Sequence, residues 1–349
     1  MRIKKFSVAC EPPFWARSGH AQTIAGHLWP SPRLRATPGL QKGENVELAL
    51  PDGDRLVGRF YAALAGLGLA ESAPRRRRPD ARPMVVYFFH GLGGTVDADY
   101  MHRGVRLALD QGHAVLVMNH RGCGEGAGLA RLPYHSGRSE DLAAAIAWGR
   151  ARFPTHRHVG VGFSLSGNAL LLLLSGDRGY PLPDAAIAIN APIHLAHAAA
   201  LLKHGLNRVY DRRFVRLCLE SARASGHPIR MPRGATLTDF DQLYTAPRGG
   251  FGTRERYYAE CSTYLRISNI RIPTVLLTAA DDPFVGVQDY QAVQPSDSVL
   301  LHIEAHGGHM GYLSGKPLAV ASTGARTRRW LDAALDYYLA EIDRTEQPV

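Results

Sequence analysis

Ser164 stands where a β-rich run, Val159-Gly160-Val161-Gly162-Phe163, meets an apolar segment of helical character, Ala169–Leu174. A serine on a sharp strand-to-helix turn has its hydroxyl pushed out of the sheet, where it can attack a carbonyl carbon. Such a turn presses the residues two before and two after the serine against neighbouring backbone, so both must be small. Gly162 and Ser166 meet that need, and Gly167 follows. With Ser166 as nucleophile, Ser164 and Asn168 would take the crowded positions, a poorer fit. The plainer alternative is a Ser/Gly-rich turn with no chemistry of its own.

A serine hydroxyl is a weak nucleophile until a base takes its proton and an acid orients that base. Asp281 and Asp282 follow the run Thr274–Thr278, and Asp282, just before Pro283, is the better-placed orienting acid. After the next run, Ser298–Ile303, the segment Glu304-Ala305-His306-Gly307-Gly308-His309 supplies the base; His309 is preferred and His306 is its rival. Acyl transfer also needs N–H donors for a developing oxyanion. The run Met84–Phe89 leads into His90-Gly91-Leu92-Gly93-Gly94, so the expected donors are the amides of Leu92 and Leu165. No P-loop lysine or G-x-G-x-x-G accompanies that glycine-rich loop, which argues against phosphate binding. His306 and His309, or His194 and His197, have a spacing that metal ligands can have, but no carboxylate set adjoins them in sequence, and no metal is expected.

Side chains this far apart in sequence can meet only if buried strands carry each of them to one edge. Asn45–Leu50 and Arg55–Tyr61 flank a Pro-Asp-Gly-Asp turn and read as an antiparallel hairpin. Met84–Phe89, Ala114–Met118, Val159–Gly162, Ala185–Ile189, Thr274–Thr278 and Ser298–Ile303 read as buried parallel strands. Helical patterns lie between them over Ala98–Gln111, Ser139–Arg152 and Asn168–Ser175, and a last one over Thr327–Asp343 puts Leu331, Leu335 and Leu339 on one face. The expected architecture is the α/β-hydrolase fold, a mostly parallel sheet covered on both faces. It comprises a loop-like wrapping extension (1–40), a core (41–193 and 273–349) and a helical cap or lid insertion (194–272).

The 349 residues carry a formal net charge of +10. Its densest run, Arg75-Arg76-Arg77-Arg78 between Pro74 and Pro79, lies in the expected linker Ala65–Pro83 and reads as a solvated loop, so no nucleic-acid partner is expected. No stretch approaches the roughly 18–20 apolar residues of a spanning helix. The basic N-terminus lacks a signal peptide's apolar stretch, because Glu11-Pro12-Pro13 follows at once, and a cytoplasmic location is expected. Cys10, Cys123, Cys218 and Cys261 are scattered and read as free thiols.

Several segments together resemble the YheT-like α/β-hydrolases, the fourth family of the AB hydrolase superfamily. They are Gly19-His20-Ala21-Gln22-Thr23, His90–Gly94 with Asp99-Tyr100, Asn119-His120-Arg121-Gly122-Cys123, and Tyr134-His135-Ser136-Gly137 ahead of Glu140-Asp141. Further on come Asp239-Phe240-Asp241, Tyr257-Tyr258 with Ser262, Asp281-Asp282-Pro283-Phe284 and Gly307-Gly308-His309. The resemblance implies hydrolysis or transfer of acyl groups on small-molecule carboxylic esters, without a cofactor, and supports Ser164, Asp282 and His309 as the triad. Ser166 departs from the family's usual glycine, and Gly124-Glu125-Gly126 is arranged differently from the usual form. Arg121 and His135 read as structural residues. His90, Gly91, Tyr257 and Tyr258 are the candidate substrate contacts. The rival functions are an acyltransferase using the same triad and an idle scaffold that only binds a ligand.

Overall fold

The computed structural model describes residues 3–29, 43–63, 82–176 and 178–345. The Arg75–Arg78 run, most of its linker and positions 30–40 of the N-terminal extension lie outside the described residues. Eight strands form one sheet in the order β1-β2-β4-β3-β5-β6-β7-β8: β1 (Glu44–Ala49), β2 (Arg55–Tyr61), β3 (Met84–Phe89), β4 (Ala114–Met118), β5 (Arg157–Phe163), β6 (Ala185–Ile189), β7 (Thr274–Ala279) and β8 (Val299–Glu304). β1 and β2 are antiparallel, β2 runs antiparallel to β4, and every pairing from β4 through β8 is parallel.

Strands covered on both faces read as nearly continuous apolar runs; every residue of β3, β5 and β6 is buried, with Arg157 and His158 at the start of β5 as the polar exceptions. The period-two geometry of a strand divides them between two cores. Val86 and Phe88 pack on one face with α11 (Trp330–Arg344) and α2 (Asp99–Asp110); Val85, Tyr87 and Phe89 pack on the other with α3 (Ser139–Arg152) and α4 (Leu165–Leu174). Leu331, Leu335 and Leu339 do share the buried face of α11.

Two elements depart from expectation. The extension is not only loop: α1 (Gly19–Leu28) is a helix whose N-cap Ser18 accepts from the Ala21 N–H at 3.2 Å. Its polar Gln22 is buried and bonded to the main chain of Ala16 and Leu313, so tertiary contacts set this helix rather than an apolar stripe. The last helix begins at Trp330, because the residues before it pair as a hairpin, β9 (Leu313–Ala319) with β10 (Arg326–Arg329).

Between β6 and β7 the described chain is helical: α5 (Leu195–Leu202), α6 (Asn207–Ala224), α7 (Leu237–Phe240), a π-helical turn (Asp241–Thr245), α8 (Ala246–Arg248) and α9 (Arg254–Cys261). Of the described residues, no helix is long and apolar enough to cross a membrane. The four cysteines are free thiols.

Candidate active site

The carboxyl ends of the parallel strands converge on Ser164. It follows β5 directly and opens α4, with φ +53° and ψ −121°. A non-glycine residue at positive φ is strained, and the strain is held by the sheet, since the Ser164 N–H donates to Ile189 O at 2.8 Å. Ser164 Oγ lies 2.9 Å from His309 Nε2, and His309 Nδ1 lies 2.7 Å from Asp282 Oδ2. The Asp282 carboxylate is almost wholly buried. It accepts from the amides of Phe284 (3.1 Å) and Val285 (3.0 Å) and from Asn190 Nδ2 (2.8 Å). These three donors satisfy the lone pairs of the buried carboxylate.

Asp281 acts on the same loop by another route. Its Oδ1 accepts from the amides of Gly307 (2.9 Å) and Gly308 (2.8 Å), fixing the turn that delivers His309. His306 lies outward, with a half-exposed side chain 3.5 Å from Asp281. The other side of the turn rests on α1: the His309 N–H donates to Thr23 Oγ1 at 2.8 Å, and Thr23 donates to Gly19 O at 2.7 Å. Gly19 has to be glycine, because a Cβ there would stand 1.6 Å from Asp281 O. The Phe284 ring covers His309 with centroids 4.2 Å apart.

The loop after β3 lies against Ser164: a Cβ on Gly91 would meet Ser164 Cβ at 3.0 Å. The Gly91 N–H donates to the buried Tyr100 hydroxyl at 3.0 Å, and the Gly94 N–H donates to Gly91 O at 3.0 Å. Leu92 sits in the turn so formed. Leu165, as the first residue of α4, has an N–H with no acceptor within its own helix. Behind the loop is a polar cluster in which Ser166, His90 and His120 are buried and Tyr134 is half-buried. Ser166 Oγ donates to His90 O in a short bond and also meets His120 Nε2 (2.5 Å) and the Tyr134 hydroxyl (3.0 Å). His90 Nε2 accepts from the His120 N–H at 3.2 Å, which leaves Nδ1–H to donate to Gly91 O at 2.8 Å. Burial brings the His90 imidazole down from 6.5 to about 4 and holds His120, next to it, well below its ordinary value. Both rings are therefore neutral at pH 7, the form this bonding pattern needs.

The other singled-out residues face inward. Arg121 is buried in a bidentate bond with Asp141 (2.7 Å to each oxygen) and also binds Asp54 and Asp52. His135 Nδ1 accepts from the Gly137 N–H at 3.0 Å. Tyr257 accepts from the Ser136 N–H at 3.1 Å, and Tyr258 donates to Asp241 Oδ2 at 2.7 Å. Both tyrosines pack with Leu195, Phe251 and the half-buried Leu165. Sequence reading singled out no role for Asn190, Thr23, His120 or Tyr134. Three of these lie in or next to the family-like segments, whereas Asn190 carried no signal beyond its place after a strand.

The chain matches the model of the "Alpha/beta hydrolase family" over residues 86–323. It is 30% identical over 335 residues to "Putative esterase YheT" of Escherichia coli (strain K12), covering 92% of this chain and 89% of that one. It is 27% identical to "Monoacylglycerol lipase" of Saccharomyces cerevisiae, covering 70% of this chain and 58% of the yeast protein. Among solved structures, the Pyrococcus furiosus esterase Pf2001 shares the fold with a TM-score of 0.50 at 17% identity, covering 80% of this chain and 91% of that one. The chain thus belongs to the alpha/beta hydrolase family, among its YheT-like members.

Proposed function

We propose that this enzyme hydrolyses carboxylic esters of short to medium acyl chain through a Ser164 acyl-enzyme. The observation that carries the reading is the unbroken line from Ser164 Oγ through His309 to the buried Asp282 carboxylate, at 2.9 and 2.7 Å. His309 Nε2 takes the Ser164 proton as Oγ attacks the ester carbonyl. The Leu92 and Leu165 amides receive the oxyanion, and Asp282 stabilises the imidazolium. His309 then returns the proton to the departing alcohol, and a water, activated in the same way, releases the acid and frees Ser164. The names of the relatives, an esterase and a monoacylglycerol lipase, support an ester as substrate.

Only the short end of that acyl range is supported by the cavity beside the oxyanion loop, which is small, about 50 Å³. It is lined by Leu92, Gly93, Tyr134, Leu217, Cys218 and Phe240, so the helical insertion supplies its far wall and serves as a lid. Tyr257 and Tyr258, with their hydroxyls bonded inside the protein, act as backing for that wall, and Gly91 leaves room for the acyl carbon beside Oγ.

The test is labelling with a fluorophosphonate, comparing wild type with Ser164→Ala, Ser166→Ala and His309→Ala, alongside a p-nitrophenyl ester series. Label should vanish in Ser164→Ala and persist in Ser166→Ala, and ester turnover should fall about 10⁶-fold without Ser164. Label that survives Ser164→Ala would overturn the assignment.

A further inference from the structure

We propose that His194, His197 and Asp289 form a binding site for one zinc ion, outside the catalytic site. His194 caps the start of α5 and His197 lies one turn on, so their rings share a face of that helix; Asp289 comes from the first turn of α10 (Val287–Gln291). Both imidazoles turn Nδ1 to the carboxylate, His194 at 3.3 Å from Oδ1 and His197 at 2.7 Å from Oδ2, and the three donor atoms lie within 4.8 Å of one another. Zinc bonds of 2.0–2.1 Å in a tetrahedron put donor atoms about 3.3 Å apart. The His194 separation from Oδ1 already meets this; His197 sits on the other oxygen, Oδ2, about 0.6 Å closer than such a pair, and its partly exposed ring has to move out by that much for zinc to be taken between the carboxylate and both imidazoles.

The surroundings fit a ligand set. A zinc-bound Nδ1 requires the other ring nitrogen to carry a proton and find an acceptor. Gln288 lies 3.2 Å from His197 Nε2, and its amide offers an oxygen on a half-turn. The His194 ring is steadied by stacking on Tyr264, with centroids 4.3 Å apart. His194 also lines an open cavity of about 470 Å³ between α5 and α9, which admits the ion and leaves room for a water as fourth ligand. Two imidazoles and one carboxylate suit zinc, whereas magnesium and calcium take oxygen ligands. Bound there, the ion would tie α5 of the helical insertion to the segment that runs on from Asp282 and Phe284. The proposal does not depend on the catalytic reading.

The test is zinc titration of chelator-treated protein against a chromophoric competitor, with thermal melting in parallel. Wild type should bind one zinc per chain and melt at a higher temperature with zinc than without. Stoichiometric binding should be lost in His197→Gln and Asp289→Asn, checked as folded by circular dichroism. It should weaken about 10–100-fold in Gln288→Ala and stay unchanged in His309→Ala. No saturable binding and no zinc-dependent melting shift in wild type would overturn the proposal. So would equal zinc binding in folded His197→Gln or Asp289→Asn.

Discussion

Ser166 shows how one hydroxyl can hold a loop it does not belong to. Glycine at that position would leave the Tyr134 hydroxyl without its Ser166 partner and reduce His90 O and His120 Nε2 to their 3.1 Å contact with each other. A buried polar group stripped of its partner costs about 1–3 kcal/mol, and the loop bearing Leu92 would relax to recover it. Ser166→Ala and Ser166→Gly should therefore keep the reactive serine but lower kcat on a p-nitrophenyl ester by about 10–100-fold, with a smaller change in KM. Steady-state kinetics of the variants that still take the label checks this, and an unchanged kcat would show that the loop does not depend on the Ser166 hydroxyl. The neighbouring pair of carboxylates divides its work just as sharply. Asp282→Asn should remove the charge that steadies the imidazolium and cost about 10⁴-fold in kcat, whereas Asp281→Asn, which keeps an oxygen for the Gly307 and Gly308 amides, should cost far less. That Ser164, Asp282 and His309 would meet was legible from strand-end placement and chain order. The hub at Ser166 was not, because its partners come from three separated segments and only the fold brings them together.

At the scale of elements, what could be read was what burial dictates. β3, β4 and β6 match their sequence runs residue for residue, since a strand covered on both faces leaves a continuous apolar run bounded by polar turns. α1 left no such trace. Its buried residues are Gly19 and Gln22, neither of which marks an apolar stripe, and what fixes it is the three-bond clamp of Gln22 on Ala16 and Leu313. The β9–β10 hairpin was equally hidden, because Gly315 and Pro317 interrupt β9 and most of β10 faces solvent. Yet α1 supports His309: Thr23 is the acceptor for its backbone amide. Thr23→Val preserves shape and removes only that oxygen, so it should lower stability by about 1–3 kcal/mol and reduce kcat while leaving zinc binding untouched. Urea unfolding monitored by fluorescence, run beside ester kinetics, distinguishes a loss of support for His309 from general loosening, which would shift stability alone.

For the whole molecule the consequence is an asymmetric response to acid. Four histidines in different parts of the core are buried with depressed values: His90 and His158 to about 4, and His120 and His135 well below 6.5, burial being the main cause in each. In the unfolded chain all four regain an ordinary value near 6.5. Between pH 6.5 and 4 the unfolded state thus takes up protons that the folded state refuses, so stability present above pH 6.5 is lost as pH falls through that window. For His90 and His158 the shift is worth on the order of 3 kcal/mol each at most. Asp241 works in the opposite direction: burial raises it to about 6, so the folded state gains protons there between about pH 6 and 4; burial likewise raises Asp110, Asp141 and Asp211, while His102 joins the depressed histidines, so the histidines' loss is offset in part as pH falls. The melting temperature should therefore fall steadily from pH 7 to pH 5, before the ordinary carboxylates titrate. His158 sits at the amino end of β5, away from the triad and bonded to the Tyr87 hydroxyl at 2.6 Å, which makes it the cleanest probe. His158→Gln lowers stability at every pH by disturbing that contact, but it should also flatten the melting-temperature slope between pH 7 and 5. A slope as steep as that of wild type would mean that the acid sensitivity comes from elsewhere in the protein.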